Sequence, residues 1–91
     1  MLVHFYATLR PIVGERQVEH PEGDGGTVIE LVRGLVRRWP DLEEHMLTED
    51  GHLSRRVNVF LEGRNVRWLD GEDTVLTADA RVDIFPPAAG G

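Results

Sequence analysis

The 91-residue sequence contains no cysteine and no lysine. Without cysteine, the chain forms no disulfide, supplies no thiolate to a metal or iron–sulfur cluster, and has no side-chain thiol to carry sulfur. Without lysine, it offers no side-chain amine for an isopeptide bond to a second copy of itself. A chemical role for this chain must therefore rest on other groups.

Basic residues are scarce as well, since ten arginines stand against sixteen acidic residues and the net charge is −6. A negatively charged protein repels the phosphate backbone, so nucleic acid is not an expected ligand. The same charge balance favours a partner with a basic docking surface. The four histidines are scattered without ligand spacing, and we expect no metal site.

Long apolar runs are also missing. No stretch approaches the roughly 20 residues that span a bilayer, and the N-terminus leads directly into a strand pattern without a basic leader. We therefore expect a cytoplasmic protein with no membrane partner. The length suits one domain with one modest core.

Alternating and helical patterns predict an α+β domain with the element order ββαβββ. The predicted strands are residues 2–7, 15–20, 57–61, 65–69 and 81–85, with a turn at 10–14 and a short helical segment at 41–47. Thr27 is the expected N-cap of the main helix, because Glu30 completes a capping box and apolar residues recur at helical spacing up to Trp39. Trp39 and Trp68 are expected in or at the edge of the core, with partner contact as the alternative for Trp68.

Strand alternation also predicts which apolar side chains point away from the helix. If Val82 and Ile84 face the helix, Phe85 faces the opposite side, and the same argument places Phe60 outward in its own strand. We predict that Phe85 and Phe60, joined by Tyr6, form a docking patch for a partner. The alternative is that a loop or the chain end covers one of the rings.

Two prolines, two alanines and two glycines follow the last strand. Proline fixes its φ angle and cannot donate to a sheet ladder, so the strand ends there. Glycine has no Cβ, so a Gly-Gly end can thread a narrow channel in another protein. Ala88, Ala89 and Gly90 are the predicted threading segment, and the Gly91 carboxylate is the group to be delivered. The alternative is a frayed end without chemistry.

This element order, with Gly-Gly after the last strand, resembles the ThiS/MoaD/CysO family of β-grasp, ubiquitin-like sulfur carrier proteins. The stretches that match are residues 5–10, 57–63 and 82–91, and the resemblance covers essentially the whole chain. It implies a β-grasp domain over residues 1–85, with a mixed sheet of about five strands packed on one main helix. A flexible C-terminal tail over residues 86–91 would follow.

The resemblance implies a carrier acted on by an E1-like activating enzyme rather than an enzyme. That partner would adenylylate Gly91 with ATP and Mg²⁺, and sulfur would then replace AMP to leave a thiocarboxylate. An ionised carboxylate, with a pKa of about 3.5, is a poor electrophile, which is why adenylylation is needed. A downstream synthase would take the sulfur for cysteine, molybdopterin or another metabolite. The chain itself would bind no cofactor.

Other roles compete with this one. The chain could be a ubiquitin-like modifier joined through Gly91 to target lysines, the small subunit of a molybdopterin synthase, or a β-grasp interaction module without terminal chemistry. No side chain is expected to be catalytic, and the acidic residues Glu43, Glu44 and Asp50 are expected to form a solvated face. Three arginines are expected mainly to offset the acidic surface, with partner contact as the alternative: Arg10, Arg64 and Arg67.

Overall fold

The computed structural model describes residues 1–20 and 26–87, which form one mixed sheet packed against a helical layer. The strands are β1 (Leu2–Phe5), β2 (Gln17–Glu19), β3 (Asn58–Leu61), β4 (Arg64–Asn65) and β5 (Arg81–Phe85); the helices are α1 (Leu9–Val13), α2 (Val28–Arg38) and α3 (Glu43–Met46); three 3-10 turns cover Pro40–Leu42, Val66–Trp68 and Gly71–Asp73. The described part of the chain contains no helix long and apolar enough to cross a membrane.

The sheet has the strand order β2-β1-β5-β3-β4, with β5 at its centre. β1 runs parallel to β5, with Val3 opposite Val82, and β3 runs antiparallel to β5, with Val59 opposite Ile84. β-Branched residues suit the buried side of such a pleated surface, because their stiff side chains pack well against their neighbours. β2 lies at the edge beside β1, within the range predicted for the second strand.

Helix α2 begins where the sequence predicts it. Thr27 has an extended backbone, and its hydroxyl oxygen accepts the Glu30 backbone N–H at 3.4 Å. The predicted apolar stripe is buried against the sheet and includes Val28, Leu31, Val32 and Leu35. Burial of each of these side chains stabilises the fold by about 1.5–3 kcal/mol. The helix ends at Arg38 with Trp39 as its C-cap, because Pro40 has no N–H with which to continue it.

The core lies between α2 and one face of the sheet, here called the inner face. Its strand residues, Val3, Phe5, Val59, Val82 and Ile84, are all at most 1% exposed. Trp39 closes one side of this core, as predicted, with its ring 6.2 Å from that of Phe5.

The turn predicted at residues 10–14 is wrong, because this segment forms helix α1, Leu9–Val13. Pro11 is tolerated because it lies in the first turn, where a backbone N–H has no acceptor within the helix. Gly14 ends the helix with φ +87°, donating its N–H to the Arg10 carbonyl at 2.7 Å. That left-handed conformation favours glycine, and it turns the chain toward β2.

The first strand is shorter than predicted. β1 ends at Phe5, and Ala7 is exposed with φ +51°. Ala7 therefore does not share the inner face with Val3 and Phe5, as simple alternation suggested. The chain leaves the sheet because it turns into α1, where the Leu9 N–H donates to the Tyr6 carbonyl at 3.1 Å.

The strand predicted at residues 65–69 is also wrong beyond Asn65. The Asn65 side-chain oxygen accepts the Arg67 backbone N–H at 2.9 Å, which bends the chain into a 3-10 turn. Trp68 then points to solvent and is 80% exposed, so the prediction that it belongs to the core is wrong.

Candidate partner-docking face

The side of the sheet that faces away from α2, here called the outer face, carries polar and aromatic residues. Asp83 of β5 lies between His4 of β1 and Phe60 of β3 in the strand register. Each of them alternates along its strand with buried inner-face residues, so all three point outward.

Three aromatic rings lie in contact on this face and form what we call the aromatic row. The rings of Tyr6 and Phe85 are stacked, with centroids 4.1 Å apart and planes 12° from parallel. The ring of Phe60 meets that of Phe85 edge to face, at 5.5 Å and 80°. Both geometries are favourable for aromatic pairs. All three residues stay partly exposed, so the row is an accessible apolar surface.

A polar network holds one end of the aromatic row in place. The Tyr6 hydroxyl donates to Asp83 Oδ1 at 2.6 Å, and Arg81 donates to both carboxylate oxygens of Asp83 at 3.1 Å. Burial of Asp83 raises its pKa, but the hydrogen bonds from Arg81 and Tyr6 outweigh burial and leave the pKa below its ordinary value. Asp83 is therefore ionised at neutral pH and fixes the Tyr6 ring against Phe85.

The chain leaves the domain beside the aromatic row, because Phe85 is the last residue of β5. Pro86 and Pro87 follow, and Pro87 lines a small cavity of about 150 Å³ together with Glu44, His45, Ser54 and Arg56. The predicted threading and sulfur-bearing residues lie outside the described residues: Ala88, Ala89, Gly90 and Gly91.

Two further features flank the aromatic row. The Arg10 guanidinium lies 5.3 Å from the centre of the Tyr6 ring, and its Nε donates to the Phe5 carbonyl at 2.9 Å. Beyond Phe60 at the other end, an open groove of about 530 Å³ is lined also by Gly63, Arg64, Asn65, Trp68 and Leu69. The row therefore continues into a second apolar area.

Sequence reasoning placed the three rings together but missed the polar network beneath them. Asp83 stands between Val82 and Ile84 in an otherwise apolar strand, and that interruption was the available signal. A charged side chain at the centre of a sheet needs partners, because an unpaired buried charge is costly. Its partner Tyr6 is 77 residues away in the chain, which no local pattern reveals.

Among the described residues, the other ionisable side chains do not assemble into a candidate metal site. In residues 1–20 and 26–87, no cluster of three or more histidine, aspartate or glutamate side chains is arranged to hold a metal. Glu43, Glu44 and Asp50 are exposed, in agreement with a solvated acidic face.

Comparison with known proteins identifies relatives along the whole chain. The model of the ThiS family matches residues 3–91. Small archaeal modifier protein 3 of Haloferax volcanii is 37% identical over 89 residues, which cover 98% of this chain and 96% of that protein.

Solved structures confirm the predicted α+β, β-grasp fold. The crystal structure of SAMP1 from Haloferax volcanii has a TM-score of 0.85 at 27% identity, covering 99% of this chain and 97% of that one. The crystal structure of the BexX/CysO complex of Amycolatopsis orientalis contains a chain with a TM-score of 0.82, also at 27% identity, covering 99% of this chain and 98% of that one.

Proposed function

Since the chain belongs to the ThiS family, we propose that it is a sulfur carrier protein activated at Gly91. An E1-like enzyme, using ATP and Mg²⁺, joins the Gly91 carboxylate to AMP and releases pyrophosphate. Sulfide then attacks the acyl carbon, the carbon–oxygen bond to AMP breaks, and AMP leaves with the electron pair. The thiocarboxylate that results donates its sulfur to a downstream synthase.

The observation that supports this proposal most is the aromatic row next to the point where the chain leaves the sheet. Aromatic residues that are partly exposed and in mutual contact are typical of protein interfaces. An enzyme that acts on Gly91 must hold the domain while the chain end reaches its active site. Docking roles for Tyr6, Phe60 and Phe85 fit this requirement.

The number of residues after Pro87 limits the distance between Gly91 and the domain. Four residues follow Pro87, and a fully extended chain advances at most about 3.6 Å per residue. Gly91 therefore lies within about 14 Å of Pro87 whatever path the segment takes. The partner must bind the domain close to its own ATP site, which makes the face beside Phe85 a suitable docking surface.

The chemistry assigned to this chain is that of a carrier, and the ATP and Mg²⁺ site belongs to the activating enzyme. Adenylylation replaces a poor electrophile by an acyl group with a good leaving group, so the partner supplies the activation and this chain supplies the carboxylate. Activation of Gly91 takes place in the cytoplasm, where ATP is available.

A second candidate function is that of a protein modifier. The relative from Haloferax volcanii is named as a small archaeal modifier protein, which favours this reading. Activation of Gly91 is the same in both functions, but the acceptor is an amine of a target protein instead of a sulfur nucleophile. The chain has no lysine, so a modifier of this sequence would not extend itself through side chains.

The test is the intact mass of the full chain after incubation with ATP, Mg²⁺, sulfide and the activating enzyme of the same host. A carrier gains the mass difference between sulfur and oxygen, and a variant lacking Gly91 does not. Adducts to target proteins through Gly91, without that gain, would favour the modifier. No change of either kind would contradict both functions.

A further inference from the structure

We propose that the folded chain is closed as an acceptor of its own activated end, so that an acyl group formed at Gly91 passes only to a nucleophile on a different kind of molecule. The chain has no lysine, so the α-amino group of Met1 is its one primary amine. The inference rests on the proposed function, because it concerns the acyl adenylate formed there. It specifies the acceptor as a sulfur or nitrogen nucleophile that this protein does not supply.

The Met1 amine is engaged by two acceptors. Its nitrogen donates to Glu19 Oε1 at 3.2 Å, with which it forms an ion pair, and to the His20 carbonyl, also at 3.2 Å. An ammonium group carries only donors, so it must lose a proton before its nitrogen can attack a carbon atom. Attack on an acyl carbon therefore competes with both of these hydrogen bonds.

The rest of Met1 anchors the amine in the fold. The residue is 8% exposed, and its side chain belongs to the hydrophobic core. Its carbonyl accepts the His20 N–H at 2.9 Å. Leu2, the next residue, pairs with Glu19 of β2 and with Arg81 of β5. A group as large as an acyl adenylate reaches the amine only when the start of β1 separates from the sheet, and this local opening limits the rate of reaction.

The parallel pairing of β1 and β5 also separates the amine from the chain end. Leu2 lies opposite Arg81 at the start of β5, whereas the chain leaves the domain after Phe85 at the end of that strand. The distance from Arg81 to Phe85 along the strand is about 13 Å. Attack within one chain would require the segment that carries Gly91 to fold back over that length.

This closure matters because an acyl adenylate reacts with accessible amines. The nitrogen bonds to the acyl carbon, the carbon–oxygen bond to AMP breaks, AMP leaves with the electron pair, and the amine gives a proton to solvent. With an exposed amine, copies of this chain would join head to tail and consume the activated form. With Met1 closed and neither lysine nor cysteine in the chain, the adenylate finds no amine or thiol acceptor on copies of this protein.

The first test measures the closure without any partner enzyme. The chain is treated with N-hydroxysuccinimidyl acetate, and its intact mass is followed over time. A variant with Gly-Ser-Gly joined before Met1 is the control with an exposed amine. The folded wild type should be acetylated at least about tenfold more slowly than this variant, and at the same rate in denaturant. Melting temperatures verify that both proteins are folded.

Glu19→Gln tests the ion pair at the amine. It should raise the acetylation rate by no more than about fivefold, because the Glu19 side chain is exposed and the His20 carbonyl still holds the nitrogen. Glu15→Gln is the matched control, since it makes the same change at an exposed position four residues earlier, and it should leave the rate unchanged.

The second test adds the activating enzyme with ATP and Mg²⁺ but without sulfide. Release of pyrophosphate reports adenylylation, and a mass of two chains less one water reports head-to-tail joining. The extended variant should form this dimer, and the wild type should not.

A wild-type chain that is acetylated as fast as the extended variant, or that forms the dimer through Met1, would overturn the inference. So would an extended variant that is adenylylated but forms no dimer, because closure of Met1 would then not be what prevents the joining. Absence of adenylylation in every protein would overturn the proposed function and the transfer with it, while the acetylation rates would still show whether the amine is closed.

Discussion

On the inner face of the sheet Ile84 is completely buried, whereas Phe85, the next residue of the same strand, is partly exposed on the outer face. The inner face is packed with apolar side chains against α2 and needs no polar partner. The outer face combines aromatic rings with the Asp83 carboxylate, which Tyr6 and Arg81 hold by hydrogen bonds. One strand thus contributes to two surfaces of very different composition.

The two faces therefore differ in role: the inner face stabilises the fold, and the outer face forms an accessible surface. Burial of apolar area on the inner face accounts for the stability of a small α+β domain. The rings of the outer face stay partly exposed, and Asp83 beside them is kept ionised at the cost of desolvation. An arrangement that orients accessible rings without burying them is expected of a binding surface.

The largest effect is expected from shortening an inner-face side chain. Ile84→Ala leaves a cavity in the core and should destabilise the domain by about 3 kcal/mol. In a domain of this size that corresponds to a fall in melting temperature on the order of 15 °C. Circular dichroism during heating measures it. Phe85→Ala, the neighbouring change on the outer face, should cost clearly less, and equal losses would contradict the division between the faces.

An intermediate effect is expected from Asp83→Asn, which removes the charge on the outer face without changing its size. The variant should lose about 1–2 kcal/mol, because Arg81 and Tyr6 no longer share an ionised acceptor. The folded pKa of Asp83 is lowered, so its contribution is present above the unfolded pKa of about 3.9 and is lost as the pH falls through the folded pKa.

Melting temperatures of the wild type and Asp83→Asn between pH 7 and pH 2 test this sign. The gap between the two proteins should be widest at neutral pH and should close in acid. Tyr6→Phe is the control, since it keeps the stacked ring and removes one hydrogen bond. A gap that stays constant down to pH 2 would show that the charge of Asp83 contributes nothing.

Both faces of the sheet were predictable where the sequence alternates. Period-two patterns in residues 57–61 and 81–85 place alternate side chains on opposite sides, and this requires no knowledge of the rest of the chain. The capping box before α2 is equally local. These patterns determine where α2 begins and which side chains of β3 and β5 point inward.

The remaining features depend on contacts or competing local interactions that the patterns do not contain. The Asn65 side chain captures a backbone N–H and diverts the chain, so Trp68 becomes exposed although its surroundings suggest a strand. Pro11 suggests a turn, yet it also suits the first turn of a helix whose Leu9 is buried. The placement of Arg10 on the Tyr6 ring exists only in the folded structure.

The smallest change in melting temperature is expected from the ion pair of His52 and Glu72, which belongs to neither face of the sheet. His52 Nδ1 lies 3.0 Å from Glu72 Oε2. The hydrogen bond between them, together with their opposite charges, raises the pKa of His52 and lowers the pKa of Glu72. The contribution of His52 is present below its unfolded pKa of about 6.5 and is lost as the pH rises through the higher folded value.

We therefore expect the melting temperature of the wild type to decline slightly between pH 6 and pH 8, and His52→Gln should remove that decline. The change should be smaller than that of Asp83→Asn, because His52 is exposed and solvent screens the pair. Titration of the His52 ring by NMR measures the pKa directly, and a value at or below 6.5 would contradict the geometry. Loading by the activating enzyme should not change.

The most direct test of the division between the two faces is to measure loading and melting temperature on the same preparation of Phe85→Arg. We expect the rate of thiocarboxylate formation at Gly91 to fall at least about tenfold, since Phe85 is the proposed apolar contact with the activating enzyme. The melting temperature should stay close to that of the wild type. A folded Phe85→Arg protein that is loaded at the wild-type rate would contradict the assignment of the outer face to partner docking.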